Sequence, residues 1–319
     1  MTTKKSNLEE LDQLENQAKG IEESQPIPEQ PVIEEHFEKV PKIIEGYKIL
    51  ESYDMPFGGV FYPASWKFAY RCPTSKEVAN FSTINEQDQP SIISTIEELI
   101  RACYVIVDSE SNAQISSSEI NDGERLFFFL KLREFYLHDK PITYLTMSSS
   151  WQEPVEVNLV AAGLEFPKIN DKLLACFDGR MFNIPVTGLD NPIRFLMPTL
   201  EISSRIFRYM IKTYKESQKE TSDNMKDSEA FNKQFLMLAP FLYETGKESV
   251  ESLKLKFKNI QKDDKLLTSY LTVINKIQLT NLDKINYTYR GSEEEALIKF
   301  PGGWKNMFIN TEDFGGIFE

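Results

Sequence analysis

Apolar and polar positions change rhythm several times along this chain. From Met1 to about Gly46 large apolar residues are sparse, Glu and Gln are frequent, and Pro26, Pro28, Pro31 and Pro41 punctuate the text. A segment of that kind buries too little surface to offset its ordering entropy, so residues 1–46 are predicted to form a flexible acidic arm. Within it Leu8, Leu11, Leu14 and Ala18 recur at helical spacing. This narrow stripe reads either as a partner-docking face or as a frayed, exposed helix.

From Tyr47 aromatic and aliphatic residues become dense. Pro56-Phe57-Gly58-Gly59 followed by Val60-Phe61-Tyr62-Pro63 reads as a bent, strand-like lead-in. Trp66, Phe68 and Tyr70 then alternate with Lys67, Ala69 and Arg71, the period of a half-buried strand. Thr74 with Glu77 makes a capping box for a short helix through Phe81. Ile92, Ile93, Ile96, Leu99, Ile100, Cys103, Tyr104 and Val107 predict one amphipathic helix, with Asp108 to Asn121 a surface loop after it. Asp122 is placed to cap a helix from Glu124 to about Tyr136, whose Leu126-Phe127-Phe128-Phe129-Leu130 run is apolar on nearly all sides and should lie at the centre of its domain.

A β-rich stretch follows, with strands expected at Ile142–Met147, Val155–Val160, Leu173–Phe177, Met181–Val186 and Ile193–Met197. Asp178-Gly179 is a strong hairpin signal between the third and fourth. Beyond Pro198 the period turns helical, through Ile202, Ile206, Phe207, Met210 and Ile211. After a polar gap from Glu216 to Asp227 come Phe231, Phe235, Leu236, Leu238 and Ala239, where Pro240 should kink the helix. Val250, Leu253 and Phe257, then Leu266 to Ile277, predict two further helices. Ile285–Tyr289 and Ala296–Phe300 around Gly291 close the chain as a β module with an aromatic tail, Trp304, Phe308, Phe314 and Phe318. The fold class is therefore α+β: β-rich modules at both ends of the folded region, a helical insert between them and the acidic arm in front. The expected divisions are 1–46, 47–198, 199–280 and 281–319.

Composition narrows the function. The chain has 319 residues, 41% of them hydrophobic, more than one usual domain of about 100–200 residues. A formal charge of -13 argues against a phosphate-backbone binder. The alternation of Lys254, Lys256 and Lys258 with Leu255 and Phe257 reads as a solvated face, so no nucleic acid is expected. Cys72, Cys103 and Cys176 have neither disulfide nor metal-ligand spacing. No apolar run approaches the roughly 20 residues of a membrane span, so manufacture in a cytoplasm and no membrane partner are expected.

Catalytic motifs are absent from the text: no P-loop, GxGxxG after a strand, GxSxG or HExxH occurs, and His36 and His138 are far apart. Glu293-Glu294-Glu295 reads as a solvated turn. No catalytic, cofactor-binding or metal residue is assigned, and a non-enzymatic binding role is expected. The features left over are the terminal handles. Leu8, Leu11 and Leu14 in the arm, and Trp304, Phe308, Phe314 and Phe318 in the tail, are the candidate partner-binding residues, the tail packing either on its own domain or on another chain.

Three stretches carry a resemblance: Met55-Pro56-Phe57-Gly58-Gly59-Val60-Phe61-Tyr62-Pro63, Arg71-Cys72-Pro73-Thr74-Ser75-Lys76-Glu77, and Asn121-Asp122-Gly123-Glu124-Arg125-Leu126 leading to Leu132-Arg133-Glu134. Their order resembles that in the baseplate hub assembly proteins of T-even-type contractile-tailed bacteriophages. Tyr287-Thr288-Tyr289-Arg290-Gly291 and the aromatic finish at Trp304 and Phe308 extend the likeness from about Gly46 to Phe308. Members often carry CxxC-like pairs in both β modules. The corresponding stretches here, from Tyr144 to Trp151 and from Tyr289 to Glu293, have no cysteine, so metal binding is not carried over, and Trp151 and Trp304 stand as candidate packing anchors. Asp122 also precedes Gly123 where the family has the reverse. The resemblance implies a structural or chaperone-like tail protein that helps assemble the baseplate central hub. Its partners would be other tail baseplate hub proteins, with the tape-measure protein a further candidate, and its places the host cytoplasm and the virion tail baseplate. The alternatives are a cytoplasmic adaptor binding partners through the helical insert and a carboxylate-dependent hydrolase.

Overall fold

The computed structural model describes residues 46–139, 142–147, 155–164, 169–217, 234–277, 284–289, 292–300 and 303–308. The arm with Leu8, Leu11 and Leu14, Trp151, most of the polar gap, and Phe314 and Phe318 lie outside the described residues. What is described is a mixed α+β fold built on two hydrophobic cores.

The first core forms under an antiparallel sheet in spatial order β1 (Tyr47–Leu50), β2 (Trp66–Arg71), β3 (Tyr104–Asp108) and β4 (Ala113–Ile115). In β2 the register sets Phe68 opposite Ile106 and Tyr70 opposite Tyr104, and all four are buried. Helix α1 (Ser75–Phe81) starts at the expected reciprocal box: Glu77 N donates to Thr74 Oγ1 (3.3 Å) and Thr74 N to Glu77 Oε2 (2.7 Å). Helix α2 (Gln89–Cys103) buries Ile92, Ile96, Leu99, Ile100 and Cys103. It is shorter than its apolar spacing predicts. Tyr104 and Val107 belong to β3, because Tyr104-Val105-Ile106-Val107 is a β-favouring run with β2 beside it to complete its hydrogen bonds.

Helix α3 (Arg125–Tyr136) is the centre of this core, with Leu126 to Leu130 and Leu132 all buried. Phe128 meets Phe68, Tyr104 and Phe127, while Phe129 stacks on Phe81. Asp122 does not cap it. Residues Asp122–Glu124 form a 3-10 turn, and the Asp122 carboxylate pairs with Arg125. Nor is the stretch before it a plain surface loop: Ile120 and Asn121 are buried.

A second antiparallel sheet runs β6-β5-β10-β9, from β5 (Ile142–Met147), β6 (Val155–Leu159), β9 (Lys284–Tyr289) and β10 (Ser292–Lys299). The closing hairpin is thus not a separate module, because β10 pairs with β5 and joins the two β regions into one sheet.

The second core is mostly helical: α5 (Leu200–Ser217), a turn of helix at 234–238, α6 (Val250–Gln261) and α7 (Asp264–Ile277). Pro240 ends the helix at 234–238 by opening the 3-10 turn Ala239–Leu242. The short helix α4 (Asp171–Leu174) stands where a strand is predicted, held by Asn170, whose side chain accepts from Lys172 N. Asp178-Gly179 still makes a tight turn, but Phe177 contributes only an isolated bridge to Phe182. The hairpin proper is β7 (Met181–Ile184) with β8 (Ile193–Leu196). Phe182, Ile184, Ile193 and Phe195 belong to the helical core, so the boundary between cores falls ahead of this hairpin and not at Met197-Pro198.

Candidate functional site

Two of the three stretches singled out in the sequence, Met55 to Pro63 and Asn121 to Leu126, meet between the two cores. In the first, Pro56 opens a 3-10 turn and Phe57, Gly58 and Gly59 follow in the left-handed region, at φ 54°, 65° and 68°. Glycine adopts that region without the penalty a Cβ brings. The turn, no strand, delivers Phe61 to the second core and Tyr62 to the first. Phe61 packs edge-on to Phe177 and Tyr62 edge-on to Phe68.

Tyr62 then meets the third stretch. Its hydroxyl donates to Glu124 Oε2 at 2.5 Å and accepts from the Asn121 backbone N–H at 3.0 Å. Asn121 bridges to Thr199, Asp122 N donates to Pro198 O (2.9 Å), and Leu200 N donates to Ile120 O (2.8 Å). These bonds clip the residues ahead of α3 to the start of α5, which enters the second core at Ile202. Glu124 is 0% exposed. Burial pushes its carboxyl up to about 8, against the smaller pull of the Tyr62 and Asn121 side chains towards the charged form. Burial, the Glu124 charge and the bond to it hold the Tyr62 phenol well above its usual range.

Beside this pair lies an ionic network. Arg125 Nη2 donates to Glu97 Oε1 of α2 at 2.8 Å and also binds Asp122. The other Glu97 oxygen accepts from the Ser204 hydroxyl of α5, and Arg101 Nη2 reaches Ser204 Oγ at 3.2 Å. Glu201 faces Arg101, Arg205 and Arg208 at 4.0, 3.7 and 3.6 Å. Burial raises the Glu97 carboxyl, and the neighbouring Arg125 opposes it. Glu97 and Ser204 were not singled out from the sequence. One signal existed: Glu97 stands four residues after Ile93 and three before Ile100, so a carboxylate sits on the apolar stripe of α2, which calls for a buried partner.

The second stretch makes a separate clamp. Arg71 Nη1 and Nη2 bind the two Glu77 oxygens at 2.9 and 2.6 Å, and Nη2 also donates to Ala102 O at 2.9 Å, tying β2 to α1 and to the end of α2. The Arg71 guanidinium lowers the Glu77 carboxyl to about 2.

Chemically, Glu124 is a buried carboxyl held by a phenol, and its burial favours the neutral acid. Raised carboxyl groups also mark general acids. Here, however, the carboxyl is sealed among core side chains, and Tyr62 and Asn121 are buried with it. The group joins two parts of the fold and meets no solvent that could carry a substrate to it.

Of the aromatic tail, Trp304 and Phe308 pack on their own domain. Phe308 is buried against Phe81, Phe129 and Tyr136, and the half-buried Trp304 against Phe129 and Phe300. Phe308 is therefore not free to cover another chain, since its ring completes its own core, whereas Trp304 keeps part of its ring exposed. Two polar contacts fix the tail. Arg133 Nε donates to Met307 O at 2.7 Å, and Lys305 N donates to Glu86 Oε1 at 2.9 Å. Gly303, at φ 77°, lies so close to the Glu86 carboxylate that any Cβ would collide with it. Two lysines of α6 are less solvated than their alternation suggests, since Lys254 lies over the Tyr209 ring and Lys256 binds Glu244 and Leu242 O, while Lys258 is exposed.

Among the described residues no group of three or more His, Cys, Asp or Glu is placed to hold a metal ion, and no helix is long and apolar enough to cross a membrane. The cysteines Cys72, Cys103 and Cys176 are free thiols. Compared with protein-family models, curated proteins and solved structures, the chain finds no match in any of the three.

Proposed function

We propose that this chain is a non-enzymatic, structural or chaperone-like component of contractile phage tails that takes part in assembling the baseplate central hub through protein–protein contacts. The observation that carries the reading is the buried bond from Tyr62 to Glu124, which joins two of the resembling stretches across 62 residues of sequence. Short motifs scattered along a chain gain meaning when the fold gives them one task, and this pair, with the Arg71–Glu77 clamp and the Arg125–Glu97 pair, shares the task of holding elements together. The partners proposed are the hub proteins of the same tail, with the tape-measure protein as a further one. The places proposed are the host cytoplasm during assembly and the baseplate of the finished particle.

A nonsense mutation in the gene, introduced in its own phage, tests this directly. Tails lacking a complete hub by electron microscopy, restored by supplying the chain from a plasmid, are expected. Normal infectious particles without the chain would overturn the reading. Mass spectrometry of purified wild-type particles then separates a retained component from a transient chaperone.

A further inference from the structure

Glu124 occupies an uncommon position for a carboxyl group. Its Oε2 is held by the Tyr62 hydroxyl, and its Oε1 makes no hydrogen bond of ordinary geometry among the described residues. The Asn121 carboxamide lies beside it, its nitrogen also without a partner of ordinary geometry. No Lys, Arg or His among the described residues pairs with it. Asp122 and Arg125, its charged neighbours on the turn and on α3, face each other and Glu97 of α2, whose second oxygen is taken by Ser204 of α5. A carboxylate buried with no cation beside it is strongly disfavoured relative to its neutral acid.

The location gives that proton a mechanical meaning. The Tyr62 hydroxyl accepts a hydrogen bond from the Asn121 N–H and donates one to Glu124, so one hydroxyl ties together the turn after β1, the residues ahead of α3 and, through Asn121 and Thr199, the start of α5. Those bonds are among the connections between the two cores, with the Glu97–Ser204 and Arg101–Ser204 bonds from α2 to α5 beside them. We propose that Glu124 is a proton-operated latch of this seam: protonated, it stays buried and holds the seam closed, and loss of its proton to solvent lets the seam open without unfolding either core. This device is independent of which partners the protein binds.

The sign follows from linkage. An open seam exposes Glu124 to water, where it ionises near its ordinary value of 4.5; closed, it ionises only near 8. The closed state therefore holds the extra proton across that interval, and opening becomes easier as pH rises through it, levelling off above about 8.

Amide hydrogen exchange on the full chain, followed by NMR from pH 5 to 9, reads this locally. Exchange itself accelerates about tenfold per pH unit, and the latch adds up to about another tenfold. The N–H groups of Asn121, Asp122 and Leu200 are expected to speed up by roughly a hundredfold per unit below about pH 7.5 and by tenfold above pH 8, while Leu253, whose N–H bonds Ser249 O in α6, changes tenfold throughout. Glu124→Gln, which keeps the shape and removes the titration, should reduce the seam amides to the tenfold slope. Tyr62→Phe, should that variant fold poorly, must raise seam exchange at pH 6 relative to Leu253. Seam amides at the tenfold slope in the wild-type chain would overturn the proposal. So would an equal steepening at Leu253, because the proton would then be linked to global unfolding.

Discussion

Phe61 and Tyr62, adjacent in the chain, are buried in different hydrophobic cores. Side chains that point to opposite sides of an extended or bent backbone can do this only if the preceding turn aims the chain between the cores. Gly58 and Gly59 do the aiming, in a backbone region that disfavours a Cβ by about 1–2 kcal/mol per residue. Gly59 to Ala is expected to lower stability by about that amount, read from the midpoint of urea unfolding at unchanged slope. An unchanged midpoint would show that the left-handed turn is not required.

Phe128 is fully buried on the most enclosed helix of the first core. Phe128→Ala should cost about 3–5 kcal/mol, through lost transfer free energy and the cavity left among Phe68, Tyr104 and Phe127. A loss below about 1 kcal/mol in chemical denaturation would place that ring at the surface.

The closing segment is a structural part of the first core. Phe308→Ala removes a ring shared by Phe81, Phe129 and Tyr136 and should destabilise by about 3–5 kcal/mol. If the tail instead served a partner, the isolated chain would keep its melting temperature and lose only binding.

Acid should weaken the Arg71 clamp. The Glu77 carboxyl is lowered in the folded chain, to about 2, so its contribution is present above its ordinary 4.5 and is lost as pH falls towards 2. Glu77→Gln should flatten the stability profile across pH 5 to 2 while leaving the neutral-to-alkaline limb alone. A profile of the same slope in both chains would contradict the assignment.

Deleting residues 1–42 should leave the melting temperature nearly unchanged, because a segment so sparse in large apolar residues has little to bury. Under the proposed function the same deletion weakens binding to hub proteins in a pull-down with purified partners. A large drop in melting temperature would mean the arm is folded onto a core.

Much of this molecule is legible in its residues one segment at a time. The Thr74–Glu77 box, the enclosed Phe run of α3, the alternation in β2 and the closing hairpin follow from local chemistry, because capping, amphipathic period and turn preference act within a few residues. The α+β class follows from their sum. What failed locally failed for a tertiary reason: Tyr104 to Val107 continue the helical spacing of α2 but become strand once β2 lies beside them. Only the folded chain pairs β10 with β5, sends Phe308 into its own core and brings Tyr62 to Glu124 and Glu97 to Ser204. Sequence spacing carries no information on such meetings, because each depends on which distant surfaces must be hidden from water together, and that is settled by the packing of the whole chain.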